Sequence, residues 1–439
     1  MKDTEPYRPS LHFSPGTGWM NDPNGLIFVD GRWHLFYQHE PLATVHGPMH
    51  WGHASSPDLA VWTEHPIALH PDRLGTCFSG SAIETGSGEL KLFYTAHRKN
   101  ADGTDHQTQC LVHADRTLGT FRPDARNPVV ANPGIDAFRD PKIVWHQPSG
   151  RWIMALTHGQ SIGFRSSADL VDWRFESAFG EQDGRHASGP WECPDLIPMR
   201  TPGGTTKWVL IVGIGSGADA GGSGTQYFIG DFDGHRFVND NSPGTVLWLD
   251  HGRDCYATQS FFGAAEPTSI SWASNWQYAN HTPTVGFRGV MSLPRQLSLA
   301  DTADGLRLRQ IVPRTVADRF DRVEFGAAPR SGTYRASVRL DGAGSQGLAL
   351  FGESEPQFIV IHAPDGRVAV RSRRAALAGL PGFGHDYDVP LAPGTPLDLE
   401  LFVDRGVVEL SLGGGLFWMT NLFFPARPAG SVQLIRHAA

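Results

Sequence analysis

The sequence predicts an all-β protein, a five-bladed β-propeller followed by a C-terminal β-sandwich. Three observations carry this expectation. The 439 residues include 51 Gly and 32 Pro with 10% aromatics, which suits short strands and tight turns better than long helices. Two stretches recur: GRWHLFY at Gly31 returns as GRWIMAL at Gly150, and SSPDLAVW at Ser55 returns as SSADLVDW at Ser166, offsets of 119 and 111 residues. Each offset holds two units of the length typical of propellers and solenoids.

The unit runs as a polar or acidic head, an apolar strand, a Gly-containing turn and a second strand rich in aromatic and β-branched residues. Heads fall at NDPNGLIFV (Asp22), CFSGSAIE (Ser79), FRDPKIVW (Asp140), WECPDLIP (Glu192) and DCYATQSFF (Asp254), giving five units. Alternation in KLFYTAH and TQYFIGDF marks half-buried strands, consistent with four-stranded blades. We assign residues 1–305 to the propeller, 306–320 to a polar connector and 321–439 to the sandwich. In the last region YRASVRL, GLALFG, FIVIHA, RVAVRS, LDLELFV and VVELSL alternate apolar and polar residues between Gly, Pro and Asp turns.

Composition narrows the function. A net charge of −8 without a basic run argues against nucleic acid or an anionic membrane as partner and favours a neutral ligand. No apolar run is long enough to span a bilayer. MKDTEPYRPS lacks the apolar core of a secretory signal, so the chain reads as cytoplasmic, or as secreted where a leader has been cleaved. Oligomeric state is left open. Cys77, Cys110, Cys193 and Cys255 are too dispersed for a disulfide framework or zinc site. The Gly and Pro around His46, His50 and His53 argue against the helix that would gather them on a metal, so neither metal nor cofactor is expected. GIGSGADAGGSG at Gly213 precedes a strand-like segment rather than the helix a phosphate cradle needs, and reads as a loop rimming the pocket.

WMNDPNG, Trp19 to Gly25, is built of turn-forming residues, so a turn is one role open to Asp22. The propeller supplies another. The innermost strand of every blade lines the central channel, so Asp22, Asp140 and Glu192 converge on one mouth despite their distance in sequence. Like charges in a partly dry cavity cannot all ionise freely, which leaves one carboxylic acid beside a carboxylate. Glycosidic cleavage needs that pair: an acid to protonate the leaving oxygen and a carboxylate to attack the anomeric carbon, about 5–5.5 Å apart in the retaining geometry. Trp19, Trp51, Trp191, Trp272 and Trp276 fall beside this mouth, as do Asn21, Gln38, Ser79 and Arg139, to meet sugar faces and hydroxyls. A cation at Arg139 is expected to keep Asp140 ionised and leave Glu192 free to carry the proton.

WMNDPNG, FSGSA, FRDP, WECPD and SNWQYAN together resemble glycoside hydrolase family 32, the invertases, exo-inulinases, levanases and related fructosyltransferases. DRGVVEL and MTNLFFP extend the resemblance into the second domain. It implies a retaining double displacement on β-fructofuranosides, with Asp22 as nucleophile, Glu192 as acid/base and Asp140 as stabiliser of the oxocarbenium-like transition state. Asn21, Gln38, Phe78, Ser79, Arg139, Cys193, Tyr256 and Trp276 match its fructose-pocket positions. One stretch departs from it: HGPMHWGH places His46 where the family commonly has a tryptophan, upstream of the retained Trp51. The expected activity is exo-acting hydrolysis of terminal β-D-fructofuranosides in sucrose, inulin or levan. Fructosyl transfer, which gives oligosaccharides or difructose anhydride, and a non-catalytic sugar-binding propeller are the alternatives.

Overall fold

The computed structural model describes residues 5–324, 327, 329–340, 345–349, 359–362, 368–372, 374, 377, 379–380, 382–384, 387–391, 397–425 and 433–437. Five sheets follow one another along the chain, antiparallel except where Phe287–Arg288 adds in parallel to Gly18–Val29 of the first. The first is built from Gly18–Val29, Arg32–Glu40, His50–Ser56 and Thr63–Leu69, the second from Thr76–Glu84, Leu90–Lys99, Asp105–Ala114 and Phe121–Pro123. Lys142–His146, Arg151–His158, Ser161–Ser167 and Arg174–Phe179 make the third. The fourth contains Trp191–Arg200, Thr206–Ile214, Gly224–Phe232 and Phe237–Asn239, with Leu247–Trp248 added to Gly224–Phe232. Tyr256–Ser260, Thr268–Trp272, Arg295–Thr302 and Gly305–Ile311 form the fifth.

Side-chain alternation explains why the sheets stack as blades. In RWIMALTH, Trp152, Met154 and Leu156 pack with Ile83, Phe93 and Leu111 of the second blade. Ile153 and Ala155 point the other way and pack with Trp191, Leu196 and Leu210 of the fourth. A strand covered on both faces is apolar throughout, and each such side chain contributes about 1.5–3 kcal/mol by leaving water. The ring closes where Phe262 N–H donates to Leu26 O at 2.9 Å and Phe28 N–H to Phe262 O at 2.8 Å.

The sequence repeat is a structural one. SSPDLAVW and SSADLVDW both leave the third strand of a blade through a left-handed leucine, Leu59 at φ 67° and Leu170 at φ 71°. Asp58 and Asp169 each accept two main-chain N–H groups downstream, and Trp62 and Trp173 donate to those leucine carbonyls at 3.1 and 3.2 Å. The polar residues were selected by the turn, the tryptophan by the blade edge it covers.

All of Gly305–Ile311 but its first residue lies in the expected connector, yet the strand pairs residue for residue with residues 296–302 of Arg295–Thr302. Leu306 and Leu308 face the fourth blade, and Arg307 and Arg309 in alternation with them gave the stretch its polar look. A short helix, Arg314–Ala317, follows.

The second domain places Asp321–Arg322, Thr333–Arg339, Asp398–Asp404, Val407–Leu412 and Phe417–Leu422 in one sheet. Ile359–His362, Val368–Ser372 and Tyr387–Pro390 form a second, and Ser345–Ala349 pairs with Gln433–His437. The six expected strands are all present, although Leu350 to Gly352, Phe358, Ala363 and Arg367 lie outside the described residues. Buried charges join this domain to the propeller. Arg295 reaches Asp250 at 2.9 Å and Glu409 at 2.7 Å, His12 lies 3.0 Å from Asp404 and 3.2 Å from Glu409, and Arg374 meets Asp254 at 2.7 Å.

Candidate active site

Four of the five inner strands break their ladder near the channel. Register shifts occur between Met20 and Pro23, Phe78 and Gly80, Glu192 and Asp195, and Tyr256 and Gln259. A bulge re-aims one side chain without displacing the strand. The third blade uses backbone torsion instead: Asp140 stands at φ 65° just before Lys142–His146, and Cys193 in the fourth at φ 50°. Non-glycine residues held there are costly and collect at functional sites.

These devices bring Asp22, Asp140 and Glu192 within electrostatic reach of one another around Cys193. The Cys193 N–H donates to Asp140 Oδ2 at 3.0 Å, and its thiol lies 3.4 Å from Asp22 Oδ2 and 3.7 Å from Asp140 Oδ2. Ser79 Oγ donates to Asp22 Oδ2 at 2.7 Å, while the buried Oδ1 accepts no hydrogen bond. Its unengaged lone pairs are available to an incoming electrophile. Asp22 and Asp140 are 8% and 6% exposed, whereas the Glu192 side chain is 20% exposed and lies nearer the opening.

Electrostatics follow from burial. Asp22 is raised above the usual carboxylate range by desolvation, against the Ser79 hydrogen bond. Asp140 is pushed up to about 7, chiefly by burial, with the Arg139 charge opposing and the Glu192 and Asp22 charges adding. Arg139 is where the sequence expectation needs correction. Its Nη2 lies 2.6 Å from Glu192 Oε1 and its Nε 3.9 Å from Asp140 Oδ2, so the cation chiefly partners Glu192. The left-handed turn at Asp140 sends the two adjacent side chains apart, the carboxylate towards Cys193 and the guanidinium across the mouth. Tyr256 donates a short hydrogen bond to Glu192 Oε2, and burial beside that carboxylate raises the phenol's pKa.

The remaining expected residues divide into wall and support. Asn21 accepts the Trp19 indole N–H at 2.7 Å, and Gln38 Nε2 donates to Cys77 O at 2.8 Å. Half-buried Phe78 stacks on His97 at 4.1 Å. Trp276 stacks on Trp19 at 6.1 Å, and the exposed His46 ring stands 5.5 Å from Trp276 and 6.3 Å from Phe78. Trp51 and Trp191 are 0% exposed. Trp51 belongs to a third strand, away from the axis, and supports the site by donating to Phe78 O at 3.0 Å; Trp191 fills the space between third and fourth blades. His50 and His53 part from His46: His53 stacks on His34 within the first blade with ring centroids 5.3 Å apart, their ring nitrogens in hydrogen-bond contact at 3.0 Å.

Sequence reasoning missed the supports on second and third strands. Thr95 Oγ1 accepts the Asp140 N–H at 2.9 Å, and Gln107 Oε1 accepts the Phe138 N–H at 2.8 Å. Neither sits in a conspicuous motif; only strand pairing shows that they flank the third head.

Comparison with known proteins agrees with this geometry. Residues 12–310 match the profile of the glycosyl hydrolases family 32 N-terminal domain, and residues 306–438 that of the family's C-terminal domain. A levanase of Bacillus subtilis (strain 168) is 44% identical over 98% of this chain and 68% of its own. The crystal structure of exo-inulinase from Aspergillus awamori superposes with a TM-score of 0.86 at 28% identity, covering 100% of this chain and 97% of that one. A fructofuranosidase from Schwanniomyces occidentalis, solved in complex with fructose, gives 0.84 at 28% identity over 100% and 96%.

Proposed function

Because the chain belongs to glycosyl hydrolase family 32, we propose that Asp22, Glu192 and Asp140 carry a retaining hydrolysis of terminal β-D-fructofuranosides. The protein is a glycoside hydrolase, an exo-acting β-fructosidase. The observation that carries the assignment is the meeting of three buried or half-buried carboxylates from three blades around Cys193.

In the proposed mechanism Asp22 Oδ1 attacks the anomeric carbon of the terminal fructose while Glu192 gives its proton to the departing glycosidic oxygen. The bond to the leaving sugar breaks as the ester to Asp22 forms. Glu192, now a carboxylate, takes a proton from water, whose oxygen displaces Asp22 and restores the configuration. Asp140 does not bond to the substrate; it holds fructose hydroxyls and opposes the positive charge that develops on the ring. Arg139 and Tyr256 fix Glu192, and Trp276 and Phe78 bound the sugar, Trp276 backed by the buried Trp19, with Asn21, Gln38 and Ser79 near its hydroxyls.

Among substrates we rank levan ends first, with inulin ends and sucrose after, a ranking supported by the 44% identity to a levanase. Product analysis of the purified protein with sucrose, inulin and levan in separate reactions tests the reading. Free fructose as the main early product is expected. Difructose anhydride or longer oligosaccharides would transfer the assignment to a fructosyltransferase, and no product would remove it.

A further inference from the structure

A second cavity of about 190 Å³ opens where the fourth blade meets the sandwich. One wall is the glycine-rich loop between Thr206–Ile214 and Gly224–Phe232; others come from Trp248, His251 and, across the seam, Tyr387. Small residues keep it open. A Cβ at Gly224 would stand 2.7 Å from that of Ala218 and 3.3 Å from the Trp248 ring.

The lining has a recognisable chemistry. Half-buried Trp248 is held in one orientation by donating its indole N–H to Asp219 Oδ2 at 2.9 Å, and Asp219 is itself paired with Arg185. His251 stacks flat on Phe417, with ring centroids 4.6 Å apart, and among the described residues its ring nitrogens find no hydrogen-bond partner. Burial keeps that imidazole uncharged at neutral pH, so it offers one N–H donor and one acceptor. Asp250 has both oxygens engaged, by Gly252 N–H, Thr420 and Arg295. With one carboxylate paired to Arg185 and the other saturated, the cavity suits neither a free cation nor an anion. An aromatic face beside neutral hydrogen-bonding groups suits a polyhydroxylated ring. At roughly 30 Å³ per liquid water the volume equals about six waters, the scale of one monosaccharide unit.

The same loop ties this cavity to the catalytic mouth. A Cβ at Gly215 would lie 3.4 Å from Glu192 Oε2, and Ala218, three residues on, lines the second cavity. Three residues span at most about 11 Å. We propose that the seam cavity is a non-catalytic binding site for one neutral sugar unit of a fructan chain, holding the polymer beside the site that trims it. This rests on the β-fructosidase reading above.

Two full-length variants test it. Trp248→Ala removes the aromatic face, and Ala218→Phe fills the cavity from a half-buried loop position without emptying any core. Both should raise KM for levan or inulin at least threefold while leaving kcat, and KM for sucrose, within error of the parent. Unchanged KM for both polymers in both variants would overturn the proposal, as would parallel loss on sucrose and polymer in both. A second readout does not depend on turnover: retardation of the Asp22→Asn protein in gels cast with levan or inulin should weaken when Trp248→Ala is added. Equal retardation with and without that change also overturns it. Failure of the functional reading is separate, since the parent would then release no fructose from any substrate.

Discussion

The main-chain N–H of Cys193 donates to Oδ2 of Asp140 at 3.0 Å, tying the fourth blade to the third at the centre of the catalytic mouth. This contact depends on two left-handed residues, Asp140 at φ 65° and Cys193 at φ 50°, which turn a carboxylate and an amide face to face. Cys193 is the neighbour of Glu192, so the same torsion orients the proposed acid/base. Backbone strain here buys position, and the two functions of the fourth head cannot be altered separately.

Charge in the mouth is unevenly shared, and Arg139 governs the balance. Its cation lowers Asp140 against burial and the neighbouring carboxylates, whose combined push still leaves that group at about 7. Arg139→Gln removes the lowering influence, so Asp140 needs a higher pH to ionise. We expect the acidic limb of the kcat/KM profile to move to higher pH, with kcat reduced because Glu192 loses its partner at 2.6 Å. A limb that stays in place or moves to lower pH would show that Asp140 is not part of the titrating unit.

Asp22→Asn should separate activity from stability. Removing a nucleophile costs roughly four to six powers of ten in kcat. The folded-state pKa of Asp22 is raised by burial, so its ionised form weakens the fold at neutral pH. An amide of the same shape relieves that cost while keeping the Ser79 contact. The expected result is negligible fructose release with a Tm equal to or above that of the parent. Near-normal turnover would remove Asp22 from the mechanism.

Much of this was legible in the sequence, for identifiable reasons. The heads were visible because bulged inner strands need Asn, Asp, Pro and Gly, and the DL-W repeats because an aspartate cap and a left-handed leucine recur at one corner of two blades. Arg139 was misassigned because adjacency in sequence says nothing about side-chain direction when φ is positive. Trp51 looked like a sugar wall because a strand's sequence does not reveal its distance from the axis, and Trp191 because the neighbour of a channel residue on an inner strand points into the space between blades. Thr95 and Gln107 act from strands whose pairing only the fold supplies.

The junction between propeller and sandwich should be the weak point for charge removal. Arg295 is 2% exposed, lies over the Trp418 ring at 4.1 Å and pairs with Asp250 and Glu409, whose side chains are 0% exposed. Arg295→Met preserves volume but strands two buried carboxylates. Breaking a buried pair from one side costs about 3–5 kcal/mol. A clear fall in Tm is expected by calorimetry, with restoration in part when Glu409→Gln is added. An unchanged Tm in the single variant would mean that the junction tolerates water around these groups.

His12 sets the pH window of the same junction. Burial alone would lower its pKa, but the hydrogen bonds its ring donates to Asp404 and Glu409, with their charges, raise it from 6.5 to about 9. A raised histidine stabilises the fold fully below its unfolded value, and that contribution is lost as pH climbs through about 9. Glu409 shows the opposite sign: against burial, Arg295 and His12 draw it from 4.5 down to about 2, so its contribution is present above 4.5 and lost as pH falls through 2. Together they give greatest stability between 4.5 and 6.5, with a decline on the alkaline side. His12→Gln should flatten that decline while lowering Tm at pH 6, because Asp404 and Glu409 then face a neutral amide. Thermal unfolding of parent and variant across this range decides it: parallel curves would show that His12 is not the group that titrates.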